Sequence, residues 1–404
     1  MAQESTENES RLSTRTHVLL LSGTFFFIFL GTGAQQAFLL PYLEDLTGWS
    51  KLHRVLILAT VYFSMAVFRL GNVYLLRNWP QWMFSLVGGA TYVLFPLAVL
   101  VVSFVPSYPL AIAAAAIWGW GGAAMWMGTT MQILALADRA QKHGTGMGVL
   151  YGATLAGWAL GVIVLGNIFE FGRAIDRPWL LYVAAFAFAA IGHGIMLFLP
   201  RPPEPLPEMP TWSSLVEIMS RAKARIAAFL LFASALAFGF FLGSFTEHVE
   251  SVSGGNWAWI AIFFYPFARF VLSFASGLLS ERFSHGSILA VGFFGGAAGL
   301  CIPLLFEHPL ALAATALTMG LLNGAVPVVS TALIGTSADQ KRRPLTYGAM
   351  FTWRDLGAVI AMMAGKILEV RAESMMVTFG VFAVVFAACG VVSLILNRYA
   401  QQRL

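Results

Sequence analysis

The chain reads as an all-α polytopic membrane protein of twelve transmembrane helices, arranged as two six-helix bundles related by pseudo-symmetry. Three observations carry this. First, 58% of the 404 residues are hydrophobic and only 11% charged, with a mean hydropathy of +0.77; soluble domains carry about 25% charged residues. Second, apolar runs near the roughly 20 residues a spanning helix needs recur along the chain. No alternating barrel pattern appears, and closed helices satisfy their own backbone in lipid. Third, the two halves repeat one another in order.

The N-terminal stretch 1–16 is polar, holding Glu4, Glu7, Glu9, Arg11 and Arg15, and reads as a tail. The first apolar run follows without a small-residue cleavage site, so it is expected to be an uncleaved span rather than a signal peptide. The expected spans are 17–40, 54–76, 82–105, 109–136, 147–169 and 178–199, then 226–248, 257–280, 286–306, 309–335, 345–368 and 375–397. They divide the chain into a tail (1–16), an N-terminal bundle (17–199), a linker (200–225), a C-terminal bundle (226–397) and a tail (398–404). The linker opens on clustered prolines that cannot be helical. Ser214 and Glu217 then have capping-box spacing. Trp212, Leu215, Met219 and Ala222 form a stripe beside Arg221, Lys223 and Arg225. That suits either a short helix on the membrane surface or a solvated linker helix.

Basic residues set the expected orientation. Fifteen Lys and Arg fall on the side of the termini and six on the other, with Arg69, Arg269 and Arg354 inside spans. Both termini are therefore expected in the cytoplasm. The short loops suggest a bacterial inner membrane.

The repeat is in register. Gly148, Tyr151 and Gly157 of span five match Gly348, Phe351 and Gly357 of span eleven at an offset of 200. Gly119, Thr130 and Asp138 match Gly320, Thr331 and Asp339 at 201. Gly33, Glu44 and Gly48 match Gly239, Glu250 and Gly254 at 206. A same-sense repeat of six spans is the plan of two transporter halves related by an axis along the membrane normal.

Between spans eight and nine stands Gly277-Leu278-Leu279-Ser280-Glu281-Arg282, similar to the G-x-L-x-D/E-R loop of the major facilitator superfamily. From about Thr16 to Ala400 the chain resembles that family. The resemblance implies that Gly277, Glu281 and Arg282 brace neighbouring helix ends and help set a conformational switch. The matching loop of the first half, Gly71 to Arg77, keeps the arginine and lacks the acid, a departure from a symmetrical lock. The GP signature of the drug–proton antiporters is absent from span five. The run Gly119 to Trp126, the Thr129/Gln132 pair and Gln35-Gln36 resemble the "uncoordinated" branch, whose members include channel-regulating and receptor-escorting proteins.

In that family spans 1, 2, 4, 5, 7, 8, 10 and 11 line the cavity. The resemblance thus places Arg69, Arg269, Arg354 and Asp355 on lining helices. An ionised group at bilayer depth costs roughly 2.5–3.5 kcal/mol on insertion scales, so it is kept where it faces protein, water or ligand. Tyr265 and Arg269 are one helical turn apart, and Tyr62 shares a face with Arg69. Arginine forks suit carboxylate or phosphate oxygens. The candidate substrate-binding residues are Gln35, Gln36, Arg69, Trp126, Gln132, Tyr265, Arg269, Asn323 and Arg354. The other reading is structural: Arg269 or Arg354 braces the bundle by pairing with Asp355, Arg69 snorkels from the end of its span, and the amides join helices. Asp355, the one acid deep in a span, is the candidate for proton coupling. His193, on an outer span, and the apolar surroundings of Cys301 and Cys389 point to packing.

No zinc pair, phosphate loop or nucleophile elbow is present, so neither enzyme chemistry, a cofactor nor a metal is expected. The net charge of +5 forms no nucleic-acid-binding block. The expected partners are a small-molecule substrate, the lipid bilayer and protons, with a single copy sufficing. The expected function is secondary transport of a small anionic organic solute by alternating access, with a non-transporting regulator or escort as the alternative.

Overall fold

A computed structural model describes residues 16–75, 77–140, 142–199, 210–279 and 285–401. Every regular element among them is helical. The first half comprises α1 (16–46), α2 (Lys51–Leu75), α3 (Gln81–Phe104), α4 (Tyr108–Ala140), α5 (His143–Ala174) and α6 (Leu180–Leu197). The linker holds α7 (Trp212–Ser220). The second half comprises α8 (Ala222–Ser253), α9 (Gly255–Leu279), α10 (His285–Leu305), α11 (Pro309–Ser337), α12 (Arg343–Ala372) and α13 (Met375–Gln401).

Ten of these helices are long and apolar enough to cross a bilayer. α10 offers a shorter apolar stretch, Ala290–Leu305. α12 is 30 residues long but carries Arg354, Asp355 and Lys366 within it, which lowers its hydropathy. Both stand where the ninth and eleventh spans are expected, α10 packing on α11 and α13, and α12 on α8 and α2.

Two helices depart from plain spans. α1 passes through a π turn at Phe29–Gly33 and a 3-10 turn at Ala34–Ala37 before resuming at Leu39–Leu46. α8, expected over 226–248, extends from Ala222 to Ser253 and contains a π turn at Phe241–Phe245. Such single-turn distortions gather at functional sites, and here Phe29 of the π turn and Gln36 of the 3-10 turn both border the space between the halves.

The glycine repeat proves to be a repeat of backbone contacts. A Cβ on Gly157 would overlap the carbonyl of Phe26 on α1, and one on Gly357 would overlap the carbonyl of Phe232 on α8. Phe26 and Phe232 are themselves 206 apart, the offset of their helices. Gly119 meets the Val61 carbonyl as Gly320 meets that of Tyr265. Lipid supplies no hydrophobic drive between helices, so close approach through small residues does much of the joining. The halves meet where α2 packs on α12 and α5 on α9.

α7 differs from expectation at its start. Thr211, rather than Ser214, is the N-cap, and its hydroxyl accepts from the Ser214 N–H. Ile218 is the buried residue of this helix, whereas Trp212 at the head of the expected stripe is exposed. The reason is rotation: Leu215, Ile218 and Met219 turn toward the bundle. The loop acid and arginine, Glu281 and Arg282, lie outside the described residues; Gly277 is in the last turns of α9.

Candidate functional site

A cavity lies between the halves, lined from α1 to α5 on one side and from α8, α9 and α12 on the other. About 40 Å³ of it is open to the centres of water molecules, room for about three at the 10–15 Å³ each requires. Its wall is aromatic, including Tyr62, Trp126, Tyr151, Trp158, Phe238, Tyr347 and Phe351, and it holds three arginines, Arg69, Arg269 and Arg354.

Asp355 is fully buried and bonded on both oxygens. Arg69 Nε donates to Oδ2 at 2.7 Å, across the interface between the halves. Arg354 Nη1 donates to Oδ1 at 2.8 Å. Arg69 also donates to the Tyr347 hydroxyl at 3.1 Å and lies against the Tyr347 and Phe351 rings. Arg69 is therefore not a snorkelling residue: only 1% of its side chain is exposed. Its partner sits on the facing helix, and charge pairing at depth outweighs the reach to the interface. Of the two braces expected for Asp355, the one with Arg354 is present and the one with Arg269 is not; Arg69 takes its place.

Arg269 stands apart. Its guanidinium carbon lies 5.3 Å from the ring centres of Trp158 and Phe238 and 5.6 Å from that of Tyr265. Among the described residues it forms no ion pair, and its buried Nε has no hydrogen-bond partner. Arg354 shares the Phe238 ring, at 5.4 Å. Among the described residues Asp355 is the one carboxylate in contact with them, so the three arginines leave two positive charges in formal excess there.

The remaining candidates divide. Gln36 lines the cavity, donating to the Gly33 carbonyl at 3.0 Å and accepting from the Tyr62 hydroxyl. Trp126 lines it too, stacked on Tyr151. Tyr265 sits behind the wall, stacked on Phe241. Gln132 does not reach the cavity; it donates to Ser85 Oγ at 2.9 Å and joins α4 to α3. Asn323 donates to the Ser234 carbonyl at 2.7 Å and joins α11 to α8. Gln35 is buried outside the cavity with neither side-chain polar atom bonded. These three lie off the cavity: a neighbouring helix takes up the amides of Gln132 and Asn323, and that of Gln35 is buried unbonded.

Ion pairs tie the halves at both ends of the bundle. On the face of the termini, Arg343 grips Asp138 with two bonds of 2.7 and 2.8 Å. Gln340 and His143 bind the same carboxylate at 2.7 Å each. On the far face Lys51 pairs with Glu369 at 2.9 Å and Arg173 with Glu250 at 2.6 Å. There Arg54 approaches Glu247 at 3.5 Å, and Trp259 donates to Glu170 at 3.0 Å. Lys366 is wholly buried between Glu247 and Glu369. Burial pushes the Glu369 carboxyl up, but the charge and hydrogen bond of Lys366, with the bond from Lys51, outweigh it and hold it below its ordinary value.

Sequence reasoning missed the Lys366 cluster, whose members fall near helix ends and read as loop charges. It also missed the aromatic wall. The Tyr151/Phe351 match in the repeat was a usable signal, since both residues line the cavity.

Comparison with known proteins agrees with this architecture. The family model described as Major Facilitator Superfamily matches residues 21–361. No curated protein sequence matches the chain. Among solved structures, a major facilitator superfamily transporter, FucP, in the outward conformation superposes with a TM-score of 0.70 at 14% identity. A single-site variant of the E. coli fucose:proton symporter FucP does so with 0.70 at 15%. Each comparison covers 96% of this chain and 99% of the other.

Proposed function

This chain belongs to the major facilitator superfamily, and on that premise we propose that it carries a small anionic organic solute by alternating access through the cavity between its halves. The observation that carries the reading is the surplus of guanidinium groups around that cavity, Arg69 and Arg269 buried and Arg354 half-buried. Arginine keeps its charge at any physiological pH. A buried surplus of this kind is costly unless an anion offsets it.

The ties at both ends fit a carrier that opens one face at a time. With the termini in the cytoplasm, as the basic residues indicate, releasing Asp138 from Arg343 would open the inner face. Releasing the Lys51, Arg54 and Arg173 pairs would open the outer one.

Asp355 supplies a route to proton coupling. Its carboxylate and an anionic cargo at Arg269 offset the same cluster of positive charge, since Arg354, which Asp355 binds, shares the Phe238 ring with Arg269. A proton on Asp355 removes the carboxylate's share, so proton and anion enter together, as in symport. Uptake into proteoliposomes under an imposed pH gradient tests this. Arg269→Ala should abolish uptake, and Asp355→Asn should make the residual uptake indifferent to the gradient. Wild-type behaviour in both variants would overturn the mechanism. Failure of every solute to cross, together with stable co-purification of a partner, would favour a non-transporting escort.

A further inference from the structure

We infer that the cargo is a monocarboxylate with a flat or branched apolar body, rather than a polyol; this rests on the transport reading above and specifies its substrate class. The first observation is the supply of free donors. Of the three cavity arginines, Arg69 and Arg354 are engaged by Asp355, while Arg269 meets no acid among the described residues. Aromatic rings lie over its guanidinium. Rings on the faces of a guanidinium stabilise the charge but leave its in-plane N–H edge to be satisfied. A carboxylate matches that edge with two parallel bonds. One available fork calls for one carboxylate.

The second observation is what the neutral polar groups are already doing. The Thr154 hydroxyl donates to the Leu150 carbonyl at 2.8 Å. The Tyr62 hydroxyl and both ends of the Gln36 amide are bonded to each other or to backbone. The Tyr347 hydroxyl accepts from Arg69. A sugar brings several hydroxyls, each of which loses water on entry and needs a partner. Among the described residues the buried groups of this wall that are left without a partner, the indole N–H of Trp118 and of Trp158 beside the Nε of Arg269, are all donors; they suit the oxygens of a carboxylate and give the hydroxyl protons of a sugar nothing to donate to. The remaining wall is ring surface, which accepts apolar or planar bodies without any such requirement. The fold is shared with a fucose:proton symporter, but fold alone does not fix cargo, and the wall here argues for a different class.

The test uses the full chain purified in detergent, with benzoate, D-glucose and inorganic phosphate as probes. Quenching of tryptophan fluorescence reports binding, since Trp126 and Trp158 line the cavity. Benzoate should quench saturably, while glucose and phosphate should not. Arg269→Ala should weaken benzoate about 10- to 100-fold, the range for losing a charged hydrogen bond. Arg269→Lys, which keeps the charge and loses the fork, should weaken it less. Melting without ligand checks that each variant is folded; if Arg269→Ala is not, Arg269→Lys and the ranking of the three probes decide. Glucose binding in preference to benzoate, benzoate binding indifferent to both substitutions, or no binding of benzoate overturns the inference. Counterflow in proteoliposomes separates the two claims. Glucose flux without benzoate flux sinks this inference and spares the transport reading. Benzoate binding with no flux of any probe does the reverse.

Discussion

Replacing Asp355 by alanine should be among the most damaging single changes in the molecule. The carboxylate is fully buried and takes one bond at 2.7 Å from Arg69 and one at 2.8 Å from Arg354. Arg69, 1% exposed, would keep only the Tyr347 hydroxyl at 3.1 Å and the two rings it lies against. Breaking a buried pair by removing one partner costs about 3–5 kcal/mol, because a buried charge is left uncompensated. For a unit of each half's size, 1 kcal/mol shifts the melting temperature by about 2–4 °C, so a fall of roughly 6–20 °C is expected. The double variant Arg69→Met/Asp355→Ala removes both charges of the inter-half pair. It should recover at least about 1 kcal/mol relative to the sum of the single changes, the coupling expected of groups in contact. Thermal unfolding of the purified variants, followed by intrinsic fluorescence, measures both quantities. A melting point within about 2 °C of wild type for Asp355→Ala, or strict additivity in the cycle, would refute the claim that this pair holds the halves together.

The two symmetric glycine contacts should respond alike. Gly157→Ala and Gly357→Ala each push a Cβ into a backbone carbonyl and should cost about 1–3 kcal/mol by overpacking. Gly380→Ala, inside α13 with nothing within 4 Å, should not lower the melting point, since alanine favours the helix over glycine. At the far face, Lys51→Met removes the partner that Glu369 has on the other half; spin labels on α2 and α12 near that face should report a shifted population with the halves apart. The same labels should show a definite pH dependence. The Glu369 carboxyl is held below its ordinary value in the closed structure, so its contribution is complete above the ordinary carboxylate range, near 4.3, and is lost as pH falls through the lowered value. The closed distance should therefore persist from pH 7 to about 5 and lengthen only in stronger acid. Lengthening near neutrality would assign the lock to other groups.

Much of the architecture was legible because lipid imposes simple rules. Spanning helices must be long and apolar, and glycines that recur at fixed offsets mark recurring contacts; Gly157 and Gly357 show this directly. The buried charges were legible for the same reason, since Arg69 and Asp355 stand out in apolar runs. Their pairing was not. Sequence places a residue on a helix but fixes neither the rotation of that helix nor its depth against a partner, and Arg69 rather than Arg269 lies level with Asp355. Gln132 and Asn323 show a related limit: an amide in a span satisfies a neighbouring helix or a solute with the same chemistry. The aromatic wall was hidden because rings make up 14% of the chain and those facing the cavity have no distinguishing neighbours. The π turn at Phe29–Gly33 and the 3-10 turn that holds Gln36 also lack a composition of their own.

The most direct measurement of whether this cavity serves both faces is the reactivity of a cysteine placed in it. Thr154 lines the cavity and takes a thiol with little change of volume. Cys301 and Cys389 would first be changed to serine. In sealed vesicles of known orientation, Thr154→Cys should react with a membrane-impermeant thiol reagent added from either side, and cargo should protect it. A thiol that reacts from one side alone under every gradient, or from neither, would contradict alternating access.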